Sequence, residues 1–297
     1  MPSRSNLICT YGLLVFIWAT TPLAIVWSVT DLYPMWSLVL RFFIALPLAV
    51  SVLLLLKIRF PTDKVALLSY AAGSLSLIGS QIFTYAATAY LSSGLIALMF
   101  GLAPIMAGLI GRFAFKQKLA VLQWLGMGIA IIGLALICLS GGQKQVQPLG
   151  ILLMLLSVSI YSFSIFLVKK INANVQPMAQ ATGSILVSTL LAISLLPWIW
   201  QHAPTHFPAM QSILALIYTV IMASLLAMFC YFKLVQNLQA TTLSLTTVMT
   251  PMLAILIGAY LNHEHISAQV FVGASIILFG LLLYFLRDLM AYRRLRS

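Results

Sequence analysis

Charge is what this 297-residue chain lacks. Only 7% of its residues are Asp, Glu, Lys or Arg, and only four are acidic, against about 25% charged in soluble domains. A soluble globular surface cannot be built from so little charge. The acids Asp31, Asp63, Glu264 and Asp288 are scattered along the chain. That makes a metal cluster or a paired acid/base catalytic site improbable, because both need such groups close together. Cysteine is scarce too. Cys9, Cys138 and Cys230 all fall in apolar stretches, which argues against a disulfide framework. No motif for a cofactor is present.

What fills the chain is apolar surface, with 62% hydrophobic residues and a mean hydropathy of +1.09. Apolar runs of about 20 residues, long enough to cross a bilayer core of roughly 30 Å as a helix, occur ten times. They cover 7–28, 35–56, 65–86, 91–111, 120–140, 149–168, 178–199, 211–232, 238–261 and 268–286. The expected fold is all-α and membrane-embedded, with ten transmembrane helices. The first run follows Arg4 and resembles the charged flank of a signal peptide, but it is too long for an h-region and no small-residue cleavage site closes it.

A net charge of +12 would suggest nucleic acid in a soluble protein. Its placement says otherwise. With the N-terminus cytoplasmic, Arg4, Lys57, Arg59, Lys64, Arg112, Lys116, Lys118, Lys169, Lys170, Lys233, Arg287, Arg293, Arg294 and Arg296 all face inward, fourteen of the sixteen basic residues. Only Lys144 lies in an outward loop, and Arg41 lies within a run. This is the positive-inside pattern, so the basic charge orients the chain with both termini cytoplasmic and implies no nucleic-acid partner.

One stretch occurs twice. Tyr90-Leu-Ser-Ser-Gly94 leads to Pro104, Gly111, Gly126 and Gly133, and 147 residues later Asn237-Leu-Gln-Ala-Thr241 leads to Pro251, Gly258, Gly273 and Gly280. The expected organisation is a first five-helix repeat over 1–140, a linker over 141–148, and a second repeat over 149–297. Five crossings per copy is an odd number, so the second copy should be inverted relative to the first. The loop Lys116-Gln-Lys118 reads His263-Glu-His265 in the other copy, as expected when one faces the cytoplasm and the other does not.

These residues resemble the drug/metabolite transporter superfamily and, within it, the EamA-type branch. The resemblance is carried by Ala89-Tyr-Leu-Ser-Ser-Gly-Leu-Ile-Ala97 running to Pro104, and by Asn237-Leu-Gln-Ala-Thr-Thr-Leu-Ser-Leu245 running to Pro251, Gly258 and Glu264. Trp18-Ala-Thr20 and Arg41-Phe-Phe43 add to it. It implies a bacterial inner-membrane exporter of small organic metabolites or amphiphilic, drug-like compounds. Many relatives carry a Gly-Glu pair ending both the fourth and the ninth span; here only Glu264 is acidic.

Polar residues within spans must find a partner or a cavity. Gln81 and Tyr85 share a helix face, as do Ser157, Tyr161 and Ser164, and Thr242, Thr246 and Thr250 recur once per turn. A central cavity lined by Gln81, Tyr85, Tyr161 and Thr246, with Trp18 and Phe100, is the functional reading. Back-bonding and helix-to-helix glue is the plainer one, favoured for the threonines. Arg41 should either snorkel to outer headgroups or meet a substrate carboxylate or an acidic gate residue. Glu264 should be a solvated turn acid beside a capping Ser267, or a group that pairs with Arg41. Metal binding by His263 and His265 is unsupported by their spacing. Ala103, Ala107 and Gly111 recur as Thr250, Ala254 and Gly258, a small-residue seam, and Pro104 and Pro251 are expected as equivalent kinks that flex two alternating gates.

A secondary transporter working by alternating access around a central site is the reading these features favour. Its partners are a small-molecule substrate and the lipid bilayer; proton coupling through Glu264 or a tyrosine network, and uncoupled exchange of amino-acid-like metabolites, both stay open. The sequence favours neither a monomer nor a homodimer. A membrane enzyme would need a nucleophile, metal cluster or paired acids at membrane depth, and a receptor or scaffold would need more loop surface than this chain has.

Overall fold

The computed structural model describes residues 4–116, 118–139, 146–237, 246–264 and 267–294. Thr242, Gln117, His265, most of the 141–148 linker and the start of the ninth span therefore lie outside the described residues. Within them, nine helices are long and apolar enough to cross a membrane: α1 (Ser5–Ser28), α2 (Pro34–Leu55), α3 (Lys64–Ala87), α4 (Ser93–Phe113), α5 (Val121–Leu139), α6 (Pro148–Ile171), α7 (Pro177–His202), α8 (Met210–Tyr231) and α10 (Ala268–Leu286). The shorter apolar helix α9 (Thr246–Leu261) makes ten.

Local chemistry sets the ends. Pro34, Pro148 and Pro177 open α2, α6 and α7, where a missing N–H costs no intrahelical bond. Asp63 caps α3 by accepting from the Ala66 N–H at 3.3 Å, and Ser92 caps α4 by accepting from Leu95 at 3.4 Å. Lys116 and His263, 147 residues apart, both adopt left-handed backbone, with φ of 53° and 49°. Counterpart helices α4 and α9 thus end the same way.

The packing repeats when helix numbers are shifted by five. Helices α2 and α7, α4 and α9, and α5 and α10 each pack on their own counterpart. The α3–α6 contact recurs as α8–α1, α4–α6 as α9–α1, and α3–α7 as α8–α2. The closest of these interfaces is α5–α10. A Cβ on Gly126 would lie 2.6 Å from the Gly280 carbonyl oxygen, one on Gly280 2.6 Å from that of Gly126, and Gly133 and Gly273 face each other likewise at 2.6 and 2.8 Å. Four of the six glycines that mark the repeat are therefore where two backbones touch, which only glycine allows.

Two local departures from regular helix matter for the site. Helix α4 breaks at Leu102, between Ser93–Gly101 and Ala103–Phe115, with Pro104 in the first turn of its second piece. Pro251, expected to kink α9 equivalently, sits inside a helix that continues through it, so the two prolines stand in locally different backbone. Helices α3 and α8 each contain a π-helical turn, Leu75–Gly79 and Thr219–Leu226. The first, shifted by 147, falls within the second. Such widened turns are often found at functional sites.

Candidate functional site

The connections that follow α1, α3, α5, α7 and α9 are joined to one another on one face of the bundle. Asp31, after α1, accepts from the Ala209 N–H at 3.1 Å just before α8. Tyr33 stacks on His202 at 4.3 Å. Trp27 donates from Nε1 to Asn262 Oδ1 at 2.8 Å, and Gln147 N donates to the Tyr90 carbonyl at 3.2 Å. We call this the latched face; the positive-inside pattern of the sequence predicts it to be the outer one.

Its central fastening is Glu264. The carboxylate Oε1 accepts from the Ser93 N–H at 2.9 Å, the Ser93 hydroxyl at 2.6 Å and the Asn262 Nδ2 at 3.0 Å, while Oε2 accepts from the Gly94 N–H at 3.2 Å. The Ser93 and Gly94 donors stand at the N-terminus of α4, where unpaired N–H groups and the helix dipole favour an anion. Gly258 makes the room, since a Cβ there would lie 2.6 Å from Glu264 Oε2 and 2.9 Å from Ser93 Oγ. Glu264 is only 8% exposed, so it is no solvated turn acid. Nor does it meet Arg41. Ser267 does cap α10 as expected, accepting from Val270 at 3.2 Å.

Beside Glu264 lies a cleft of about 190 Å³ between α4, α9 and α10, lined by Gly94, Leu95, Ile255, Glu264, Val270 and Ala274 among others. None of Gln81, Tyr85, Tyr161 and Thr246, the expected lining of a central cavity, lines this cleft; they stand on α3, α6 and α9. Tyr85 is fully buried in a cluster with Leu38, Phe42 and Ala192, and Thr246 is buried on α9. Tyr161 is half-buried and meets Phe100 edge-on at 6.0 Å, and Trp18 packs against Tyr231 at 5.6 Å. Gln81 is half-buried on α3.

Much of the buried polarity is glue, as the plainer reading expects. The Ser157 hydroxyl of α6 bonds those of Ser80 and Thr84 on α3 at 3.1 and 2.8 Å, and Ser164 donates to the Ala72 carbonyl at 2.6 Å. Among the described residues, four buried polar atoms have no partner: Arg41 Nη1, Gln81 Oε1, Tyr85 OH and Thr250 Oγ1. Arg41 is 7% exposed and does not snorkel; its Nε and Nη2 both donate to Ser224 Oγ at 3.2 Å. Ser224 in turn donates to the Thr219 carbonyl at 3.0 Å, five residues back, a spacing that the π turn of α8 creates.

Between α4 and α9 the near contacts of glycines are Gly94 with Ile255, Gly101 with Pro251, and Gly258 with Ser93, and Ala254 packs with Ala97; the Ala103 carbonyl accepts from Ser162 Oγ of α6 at 3.1 Å. Among the described residues no group of three or more His, Cys, Asp or Glu could hold a metal.

Sequence comparison bears on this arrangement directly. The EamA-like transporter family matches residues 7–139 and, a second time, residues 148–286. The chain belongs to the EamA-like transporter family. Relatives include the Escherichia coli K12 protein named "Uncharacterized inner membrane transporter YedA", 26% identical over 91% of this chain and 87% of that one. The Salmonella typhimurium protein PagO is 25% identical over 87% and 86%, and an uncharacterized transporter of Buchnera aphidicola is 24% identical over 88% and 87%. A solved crystal structure 18% identical superposes with a TM-score of 0.66, covering 99% of this chain and 100% of the other, which establishes the likeness of fold. The two family segments bracket the two groups of five helices, so in this EamA-like protein the shifted packing pattern and the family match divide the chain in the same place.

Proposed function

We propose that this EamA-like protein is an inner-membrane secondary transporter, not an enzyme, exporting small organic metabolites or amphiphilic compounds by alternating access. The observation that supports this most is the packing that repeats on a shift of five helices. Two copies of one bundle related in this way can exchange conformations and so open the two faces in turn. On this reading the repeats are 1–140 and 149–297, inverted, with both termini cytoplasmic. Trp18, Arg41, Gln81, Tyr85, Phe100, Tyr161 and Thr246 belong to the translocation path. Glu264 holds the outer face closed, and the α4 break at Pro104 is its hinge.

Uncoupled facilitation is favoured over obligatory proton coupling by one feature. Asp31, Asp63 and Glu264 all lie at helix ends and serve as caps or latches, whereas proton relays generally use acids at membrane depth. Flux into proteoliposomes with and without an imposed pH gradient decides between them. Equal rates are expected, and rates that follow the gradient would refute the uncoupled reading. Complete absence of flux for every solute class would refute the transporter reading itself.

A further inference from the structure

Arg41 is a buried cation with no anionic partner among the described residues. Its Nε and Nη2 share a single neutral acceptor, the Ser224 hydroxyl, at 3.2 Å each, and Nη1 has no partner. Asp31, Asp63 and Glu264 are occupied elsewhere, at Ala209, Ala66 and Ser93 respectively, and Asp288 follows the last span. A guanidinium carries five N–H donors in a planar fork, and taking such a charge out of water without a counter-ion is costly even after relaxation. A purely structural role needs only a residue that satisfies Ser224. It does not need a charge.

The surroundings of Arg41 are equally informative. Leu38, Arg41 and Ala45 fall on one face of α2 by helical spacing. Leu38 packs in a cluster with Ile78 and Leu77 of the π turn in α3, and Ala45 packs with Val220 and Leu225 of the π turn in α8. The cation is thus set between the irregular turns of the two repeats, and one of these turns supplies Ser224. Such π-helical turns occur frequently at functional sites.

We propose that Arg41 is the counter-ion for the transported solute, and that this solute is a small organic monocarboxylate. The inference rests on the transporter reading above and names its substrate class. A carboxylate presents two oxygens to the planar fork, taking up Nη1 and competing with Ser224 for Nη2. The single positive charge sets the ligand charge at one. A phosphate monoester would leave the site with excess negative charge in a low-dielectric interior.

The test uses the purified full-length protein and matched probe pairs: benzoate and benzamide, phenylacetate and phenylacetamide, N-acetylalanine and N-acetylalaninamide. Thermal stabilisation in detergent and counterflow in proteoliposomes are both measured. At least one carboxylate should bind tenfold or more tightly than its amide, with Arg41→Gln abolishing that preference and Arg41→Lys retaining part of it. Ser224→Ala keeps the guanidinium and should keep the preference, which guards against a folding failure of the Arg41 variants. Failure of every carboxylate, equal binding of both members of each pair, or a preference that survives in Arg41→Gln overturns the inference. Counterflow of neutral or cationic solutes without carboxylate competition overturns it while leaving the transporter reading standing; no counterflow of any solute overturns both.

Discussion

Removing the Glu264 carboxylate should unlatch the outer face, and its size can be worked from the bonds. Three hydrogen bonds cross from Glu264 to α4, two of them from backbone N–H groups of Ser93 and Gly94. A hydrogen bond to a charged group contributes about 1.5–3 kcal/mol, and a buried N–H left without an acceptor costs about 1–3 kcal/mol. Water entering an opened face would satisfy those donors, so part of the loss is recovered only in the open state. A net bias of about 3 kcal/mol toward opening follows, roughly a hundredfold change in the closed-to-open ratio at about 1.4 kcal/mol per factor of ten. Ala97 is a suitable reporter. It lies one turn below Ser93, 2% exposed, packed with Ala19 and Ala254. In a background with Cys9, Cys138 and Cys230 replaced by Ser, Ala97→Cys should react slowly with an external membrane-impermeant maleimide. Adding Glu264→Ala should raise that rate by one to two orders of magnitude, in proportion to the shift in open population. Glu264→Gln should fall between, because its amide keeps one acceptor but sets a donor against the Gly94 N–H. An unchanged labelling rate in a Glu264→Ala protein that still unfolds cooperatively would refute the latch.

Gly126→Val should destabilise the protein by about 1–3 kcal/mol through overpacking, since even a Cβ there lies 2.6 Å from the Gly280 carbonyl, whereas Gly128→Ala, with nothing within 4 Å, should be neutral or stabilising by up to about 1 kcal/mol of helix propensity; thermal unfolding in detergent compares them. Pro104→Ala should join the two pieces of α4 and slow counterflow by several fold, while Pro251→Ala, within an unbroken helix, should change it little. Equal effects would remove the hinge from α4. Trp27→Phe, which deletes the bond to Asn262 along with part of the ring, should raise Ala97→Cys labelling more weakly than Glu264→Ala does.

Ten helices and their duplication were legible because hydropathy and glycine spacing are properties of single segments and survive in any packing. The partners of the two unusual charges were not. Glu264 and Ser93 are 171 residues apart, and nothing near Glu264 in sequence marks it as a cap for a helix so distant. The Ser93-Gly94 pair was visible within the recurring motif, yet only the fold shows that its N–H groups receive a carboxylate. Arg41 was recognised as costly, but its turn inward to Ser224 depends on the π turn of α8, which carries no proline or other local signature. The glycines of α5 and α10 were seen as punctuation of the repeat, and their role as an interface appears only when counterpart helices are found in contact.

The repeat also states what the second latch would need. By the 147-residue correspondence Glu264 answers to Gln117, Ser93 to Ala240 and Gly94 to Thr241, while Gly258 answers to Gly111. The counterpart set of positions therefore keeps one glycine but lacks the anion, the hydroxyl and the second glycine. If the first latch acts through those four features, restoring them should build its mirror image on the opposite face. The triple variant Gln117→Glu, Ala240→Ser, Thr241→Gly should favour closure of the cytoplasmic face, and alternating access then requires the outer face to open. Labelling of Ala97→Cys from outside should rise with Glu264 still in place, and combining the triple variant with Glu264→Ala should raise it further. The two biases act on one equilibrium, so their free energies should add to within about 0.5 kcal/mol for sites with no shared partner. A triple variant that leaves external labelling unchanged would mean that the two faces open independently, and that the duplicated architecture does not link them.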